Sequence, residues 1–177
     1  MLEYKLITAG DASDLKRAQK GIFPKEDFSK AIPIDLTDLD FIDYANYYLA
    51  YDNKELVGIT GIYVYKDYPD EAWLGWFGVM PEKRNKGYGK QILTNSINYF
   101  AHQGFAYMRL YTSLNDNFDA CKLYHKIGMR HEAYWAEADT VGCVDIFSLA
   151  LKNVTDFKPL NNRMLYLDKM NKMILGE

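Results

Sequence analysis

From residue 83 to residue 90 the chain reads Lys-Arg-Asn-Lys-Gly-Tyr-Gly-Lys. These types at this spacing describe an anion site. Gly87 and Gly89 permit a tight turn and a close backbone approach to a phosphate. Lys83, Arg84, Lys86 and Lys90 gather positive charge in a chain whose formal net charge is −3. The run joins an apolar strand pattern, Ala72–Met80, to a helical one. N–H groups at a helix start have no intrahelical acceptor, and the helix dipole favours negative charge there. A pyrophosphate suits such a place, although a solvated basic turn with a capping glycine has the same composition. The spacing is not that of G-x-x-x-x-G-K-[ST]. The first glycine of G-x-G-x-x-G is also missing, which disfavours a Rossmann dinucleotide site.

Other reactive side chains are dispersed. Cys121 and Cys143 form no C-x-x-C pair, and His102, His125 and His131 follow no ligand spacing, so no metal is expected. A pI near 5.6 argues against a nonspecific nucleic-acid partner. The first residues, Met-Leu-Glu-Tyr-Lys, lack the apolar core of a signal peptide. No apolar run reaches the ~18 residues of a membrane span, so no membrane partner is expected and the cytoplasm is the default compartment.

These groups must be positioned by a modest set of elements, and 177 residues suit one core. Leu2–Ile7 alternates as a strand, and Asp11–Gly21 reads as a helix with Asp11 or Ser13 as its cap. Residues 22–46 carry Pro24, Pro33 and several Asp, which argues against a long regular element, with a helix over Phe41–Tyr48 as one option. Tyr47–Tyr51 and Leu56–Tyr65 form a hairpin around Asp52–Glu55. A helix follows Gly89, with Ile92, Leu93, Ile97, Phe100 and Ala101 on one face, ending at Gly104. Ala106–Thr112 is a strand and Asn117–Ile127 a helix closed by Gly128. His131–Glu137 and Asp145–Leu151 close the sheet. In the tail, Met164, Leu167, Met170 and Ile174 have helical spacing. The class is α+β.

Two segments carry a resemblance. Val79–Gly89 is similar to the acetyl-CoA loop of the GNAT superfamily of N-acetyltransferases, whose core [Q/R]-x-x-G-x-[G/A] is met by Arg84, Gly87 and Gly89. Asn117–Met129 resembles that family's N-x-x-A-x-x-L-Y-x-K-x-G-F helix, departing only at Met129, a volume-tolerant exchange. The resemblance implies a GNAT-like, mostly antiparallel sheet with splayed central strands, flanked by helices, over residues 1–151. Residues 152–177 would be a C-terminal extension.

The resemblance also implies a chemistry. Acetyl-CoA would be the acyl donor, its thioester between Ala72–Met80 and Ala106–Thr112. Backbone groups near Phe77 and Val79 would hold the pantetheine arm, and an N–H there would face the tetrahedral oxyanion. Arg84, Asn85, Lys86, Gly87, Tyr88, Gly89 and Lys90 would hold the pyrophosphate, and Asn117 would contact CoA. A primary amine, on a small molecule or a peptide, would attack directly. CoA thiolate is a mediocre leaving group, its thiol pKa being ~8.5, so an acid helps. Tyr124 matches the family's general acid, although its helix face also suits a core tyrosine. Glu71, ahead of the strand Ala72–Met80, is a candidate base, as is ordered water.

The Asp- and Tyr-rich stretch from Asp35 to Tyr51, with Asp38, Asp40 and Asp43, suits a cationic acceptor or a solvated loop equally. The alternative function is an acyl-CoA-binding sensor without turnover. The presence of Tyr124 favours the enzyme. A homodimer is left open.

Overall fold

The computed structural model describes residues 2–25, 42–112, 117–135, 143–151 and 154–160. It divides into two compact units, Met1–Phe105 and Ala106–Glu177. Together the described residues hold seven strands and three α-helices in an α+β arrangement.

The apolar run after Glu55 becomes an inner strand of the first unit. The strands are β1 (Glu3–Leu6), β2 (Ile42–Asp52), β3 (Glu55–Tyr65) and β4 (Glu71–Val79). They lie in the order β1-β2-β3-β4 with every pairing antiparallel. Asn53 and Lys54 both have positive φ, 48° and 68°, which is the backbone a two-residue hairpin turn requires. Helix α1 (Ala12–Ile22) covers one face, where Leu15, Ala18 and Ile22 join Tyr47, Leu49, Leu56, Ile59 and Met80. Helix α2 (Tyr88–Gln103) covers the other, where Ile92 joins Ala50 and Val57.

The helix expected over Phe41–Tyr48 is a strand instead, since Ile42–Asp52 pairs along β3. Both faces of this sheet are covered, so apolar residues face both ways and the period-two signal is blurred. Asp11 precedes α1 as expected, but its side chain does not cap that helix. It turns back and accepts from Thr8 N at 2.9 Å and Thr8 Oγ1 at 2.7 Å, and it pairs with Lys5.

Two strand glycines make room for one ring. Tyr47 pairs with Gly61, and Gly61 pairs with Gly75. A Cβ on Gly61 would lie 2.2 Å from the Tyr47 ring, and one on Gly75 would lie 2.8 Å from its hydroxyl oxygen. Tyr47 therefore crosses β3 and reaches β4, an approach that only residues without a side chain permit.

The second unit holds β5 (Tyr107–Thr112), α3 (Phe118–Ile127), β6 (Arg130–Trp135) and β7 (Cys143–Ala150). Its strand order is β5-β7-β6, again antiparallel. Residues 154–160 fasten to it. Arg109, with 0% exposure, donates from Nη1 to Ser148 Oγ and from Nη2 to the Lys158 carbonyl, each at 2.7 Å. Tyr107 Oη accepts from Lys158 N at 3.0 Å, and Phe157 meets the Tyr107 ring edge-on at 5.8 Å. The helix expected around Met164–Ile174 lies outside the described residues, as do Asp38 and Asp40.

Candidate active site

In the first unit the loop between β4 and α2 is built by a sequence of forced turns. Pro81–Lys83 forms one 3-10 turn, with Pro81 at its first position, where no N–H is needed. Asn85 follows at φ 60°, and Gly87 caps α2 at φ 83°. That left-handed backbone is the natural place for glycine and is tolerated by asparagine. No side chain caps α2. The backbone N–H groups from Asn85 to Lys90 meet no acceptor among the described residues, and the first helical bond runs from Gln91 N to the Gly87 carbonyl at 3.1 Å. Six consecutive donors at a helix start form an anion nest.

The cations divide by role. Lys83 is paired with Glu55, which raises the lysine pKa and lowers that of the carboxyl. Its charge is thereby offset, contrary to the expected set of four. Arg84 Nε donates to the Val79 carbonyl at 3.2 Å and Lys86 Nζ to the Glu82 carbonyl at 3.2 Å. Among the described residues neither forms a salt bridge. Lys90 is exposed on the first turn of α2. Tyr88 donates to Asp52 Oδ2 at 2.6 Å, which ties the helix start to the β2–β3 turn and raises the Tyr88 pKa.

Strand β4 is not regular. Gly58 faces Val79 and Ile59 faces Gly78, yet Gly61 faces Gly75. Two residues, Trp76 and Phe77, thus oppose the single Thr60. This is a β-bulge, and Trp76 carries its φ of 49°. A bulky residue in that region is strained, and such strain concentrates at functional sites. Trp76 packs with α1 and meets Phe23 edge-on at 5.2 Å, while Phe77 and Val79 pack on the α2 side. The sequence reading missed the bulge, for which Gly75 and Gly78 flanking two aromatics are the available signal.

Tyr124 and Asn117 belong to the second unit. Asn117 Nδ2 donates to Thr112 Oγ1 at 3.1 Å, linking the end of β5 to the start of α3. Tyr124 is 5% exposed, with its ring 5.1 Å from that of Phe147. Burial raises its pKa, and nearby Cys121 adds to the effect. Two of the three histidines read as scattered in sequence, His125 and His131, converge here. His131 stacks on Phe147 at 4.8 Å and bonds Asp145 Oδ1 at 2.6 Å, and His125 meets both rings edge-on. Among the described residues no group of His, Cys, Asp or Glu is disposed to hold a metal ion.

Glu71 opens β4 and is 4% exposed. Six residues separate it from Phe77, about 20 Å of strand at ~3.3 Å per residue. The structure therefore gathers Phe77, Val79 and residues 84–90 at one end of β4 and leaves Glu71 at the other. Among the described residues no helix is long and apolar enough to cross a membrane.

Solved structures with this fold include several acetyltransferases. The ribosomal-protein-S18-alanine N-acetyltransferase of Escherichia coli is 16% identical, with a TM-score of 0.61 over 91% of this chain and 98% of its own. A Bacillus subtilis acetyltransferase in complex with CoA is 19% identical, with a TM-score of 0.62 over 86% of this chain and 100% of its own. The spermidine/spermine N-acetyltransferase of Vibrio cholerae is 15% identical, with a TM-score of 0.64 over 92% of this chain and 96% of its own. At these identities the likeness establishes the fold alone. No curated protein matches the chain in sequence. The profile of the Acetyltransferase (GNAT) family matches residues 13–129, which span the bulged strand, the anion loop and the helix of Tyr124. On that match the chain belongs to the GNAT acetyltransferase family, whose acyl donor is acetyl-CoA.

Proposed function

We propose that this acetyltransferase moves the acetyl group of acetyl-CoA to a primary amine by direct attack through a tetrahedral intermediate. The observation that carries the reading is the nest of six backbone donors from Asn85 to Lys90 at the end of a bulged strand. A pyrophosphate fits that nest, with Arg84, Lys86 and Lys90 supplying charge around it. Phe77 and Val79 lie next along β4, where an extended pantetheine arm would continue the strand's hydrogen bonding. A backbone N–H near Phe77 and Val79 would face the oxyanion. Asn117 would contact the donor, and Tyr124 would protonate the departing thiolate. The neighbours that act on the S18 alanine or on spermidine and spermine are N-acetyltransferases, which supports an amine as acceptor. We assign the amine's proton to ordered water, because Glu71 lies too far along the strand for direct contact. The cytoplasm, as compartment, is part of this proposal.

Burial of Tyr124 against Phe147 favours a second reading, an acyl-CoA-binding module in which this tyrosine only packs. One experiment separates the two. Calorimetry measures acetyl-CoA binding, and thiol release is followed across a panel of amines. Binding with turnover supports the enzyme, binding without turnover on any amine supports the module, and no binding sinks both.

A further inference from the structure

Three bonds fasten the loop between β4 and α2 to the tip of the β2–β3 hairpin. At the loop's entrance Met80 N donates to the Val57 carbonyl at 2.9 Å. In its middle Lys83 pairs with Glu55. At its exit the Tyr88 hydroxyl donates to Asp52 Oδ2 at 2.6 Å. The tip is itself defined by its turn, with Asn53 and Lys54 at φ 48° and 68° and Asp52 opposite Glu55 across the ladder.

The exit bond acts on the start of α2. No side chain caps this helix, and Gly87 and Gly89, on either side of Tyr88, have no side chain to anchor them. Tyr88 supplies the anchor for all three residues. Its ring packs on the cluster of Ala50, Val57 and Ile92, and its hydroxyl reaches Asp52. A phenylalanine ring would pack in the same way, so what tyrosine adds is a hydrogen bond to a charged acceptor.

The sign of that acceptor is informative. A carboxylate bonded to a residue of an anion loop repels the ligand, which an apolar residue would not do. Donors fixed before the ligand arrives offset the repulsion, because less ordering is left to the binding step. We propose that Asp52 is a positioning residue for the acyl donor. Through Tyr88 it holds the first turn of α2, and with it the backbone N–H groups of residues 85–90, in the form that receives a pyrophosphate. This inference rests on the donor site proposed above.

The test is calorimetry of CoA binding to four variants of the whole chain. Tyr88→Phe keeps the ring and loses the hydroxyl. Asp52→Ala loses the acceptor, and Asp52→Asn keeps a carbonyl acceptor without the charge. The fourth variant combines Asp52→Ala with Tyr88→Phe. Affinity should fall about 3- to 30-fold in Asp52→Ala and in Tyr88→Phe, and stay within about threefold of the parent in Asp52→Asn. The double variant should lose no more than either single one, since both remove the same bond. In the protein without CoA, the amide NMR signals of Gly87 and Gly89 should move in Asp52→Ala and Tyr88→Phe and stay near the parent positions in Asp52→Asn. Unchanged affinity in Asp52→Ala and Tyr88→Phe overturns the proposal, as do additive losses in the double variant. So does a gain in both Asp52 variants, which would make the carboxylate a repelling charge only. A loss in Asp52→Asn as large as in Asp52→Ala, or a loss with unmoved glycine signals, also overturns it. Should Asp52→Ala fail to fold, Tyr88→Phe and Asp52→Asn decide the matter by the same criteria. Failure of the parent protein to bind CoA overturns the donor site instead.

Discussion

Tyr124 is held where a phenol keeps its proton. Its raised pKa makes it a hydrogen-bond donor throughout the neutral range, the form that a departing thiolate needs. Tyr124→Phe retains the ring contact with Phe147 and removes only the hydroxyl. Turnover should fall on the order of 100-fold, with calorimetric acetyl-CoA affinity nearly unchanged. Unchanged turnover would make Tyr124 a packing residue. Asp11 makes a different kind of statement. Bonds from Lys5 and Thr8 pull its carboxyl down to about 2. A depressed carboxyl pKa stabilises the fold above the unfolded value of ~3.9, and that contribution is lost as pH falls towards about 2. Asp11→Asn should therefore lower Tm at neutral pH. The gap to the parent protein should close between pH ~4 and ~2 in a melting series. A gap that persists at the acid end would mean that the substitution acts through something other than this charge.

At the scale of elements, two glycine positions carry opposite duties. Gly87 gives α2 an uncapped start at φ 83°, so that under the proposed function the backbone itself would meet the anion. In Gly87→Val a branched side chain is forced into a left-handed backbone at a cost of roughly 1–2 kcal/mol. Acetyl-CoA affinity should fall about tenfold or more, and calorimetry reads this directly. Gly61 serves packing, because Tyr47 lies where its Cβ would be. Gly61→Ala should cost about 1–3 kcal/mol in urea unfolding. Adding Tyr47→Leu should recover part of the loss, since the clash is with that ring. A strictly additive double mutant would refute the close approach.

At the scale of the whole molecule, the segment 154–160 completes the second unit's core. It supplies the carbonyl that receives the Arg109 guanidinium and the ring that flanks Tyr107. A chain ending at Leu151 should lose about 1–3 kcal/mol of stability, because a buried charged donor is left without that acceptor. Denaturant unfolding of the shortened chain checks this, and unaltered stability would show that the segment merely lies on the surface. The exposed charges around the anion loop predict a second bulk property. Arg84, Lys86 and Lys90 act through solvent, so acetyl-CoA affinity should weaken as salt rises from 0.05 M to 0.5 M, over which screening tightens.

The glycine turn before α2, the helix of Tyr124 and most of the strands were legible in sequence because each rests on local physics. Glycine permits a turn wherever it stands, and helical spacing marks a buried face without reference to a partner. The strand at Ile42–Asp52 was not legible, because its identity comes from its ladder with β3 and from helices on both faces of the sheet. Lys83 read as one of four cations around the loop until Glu55 appeared beside it from the hairpin. The same holds for the convergence of His125, His131 and Tyr124 on Phe147, and for Tyr47 lying across two glycines of other strands. The bulge at Trp76 is the sharpest case. Its left-handed backbone is unfavourable for the residue itself, and only the register that β3 imposes on β4 holds it there.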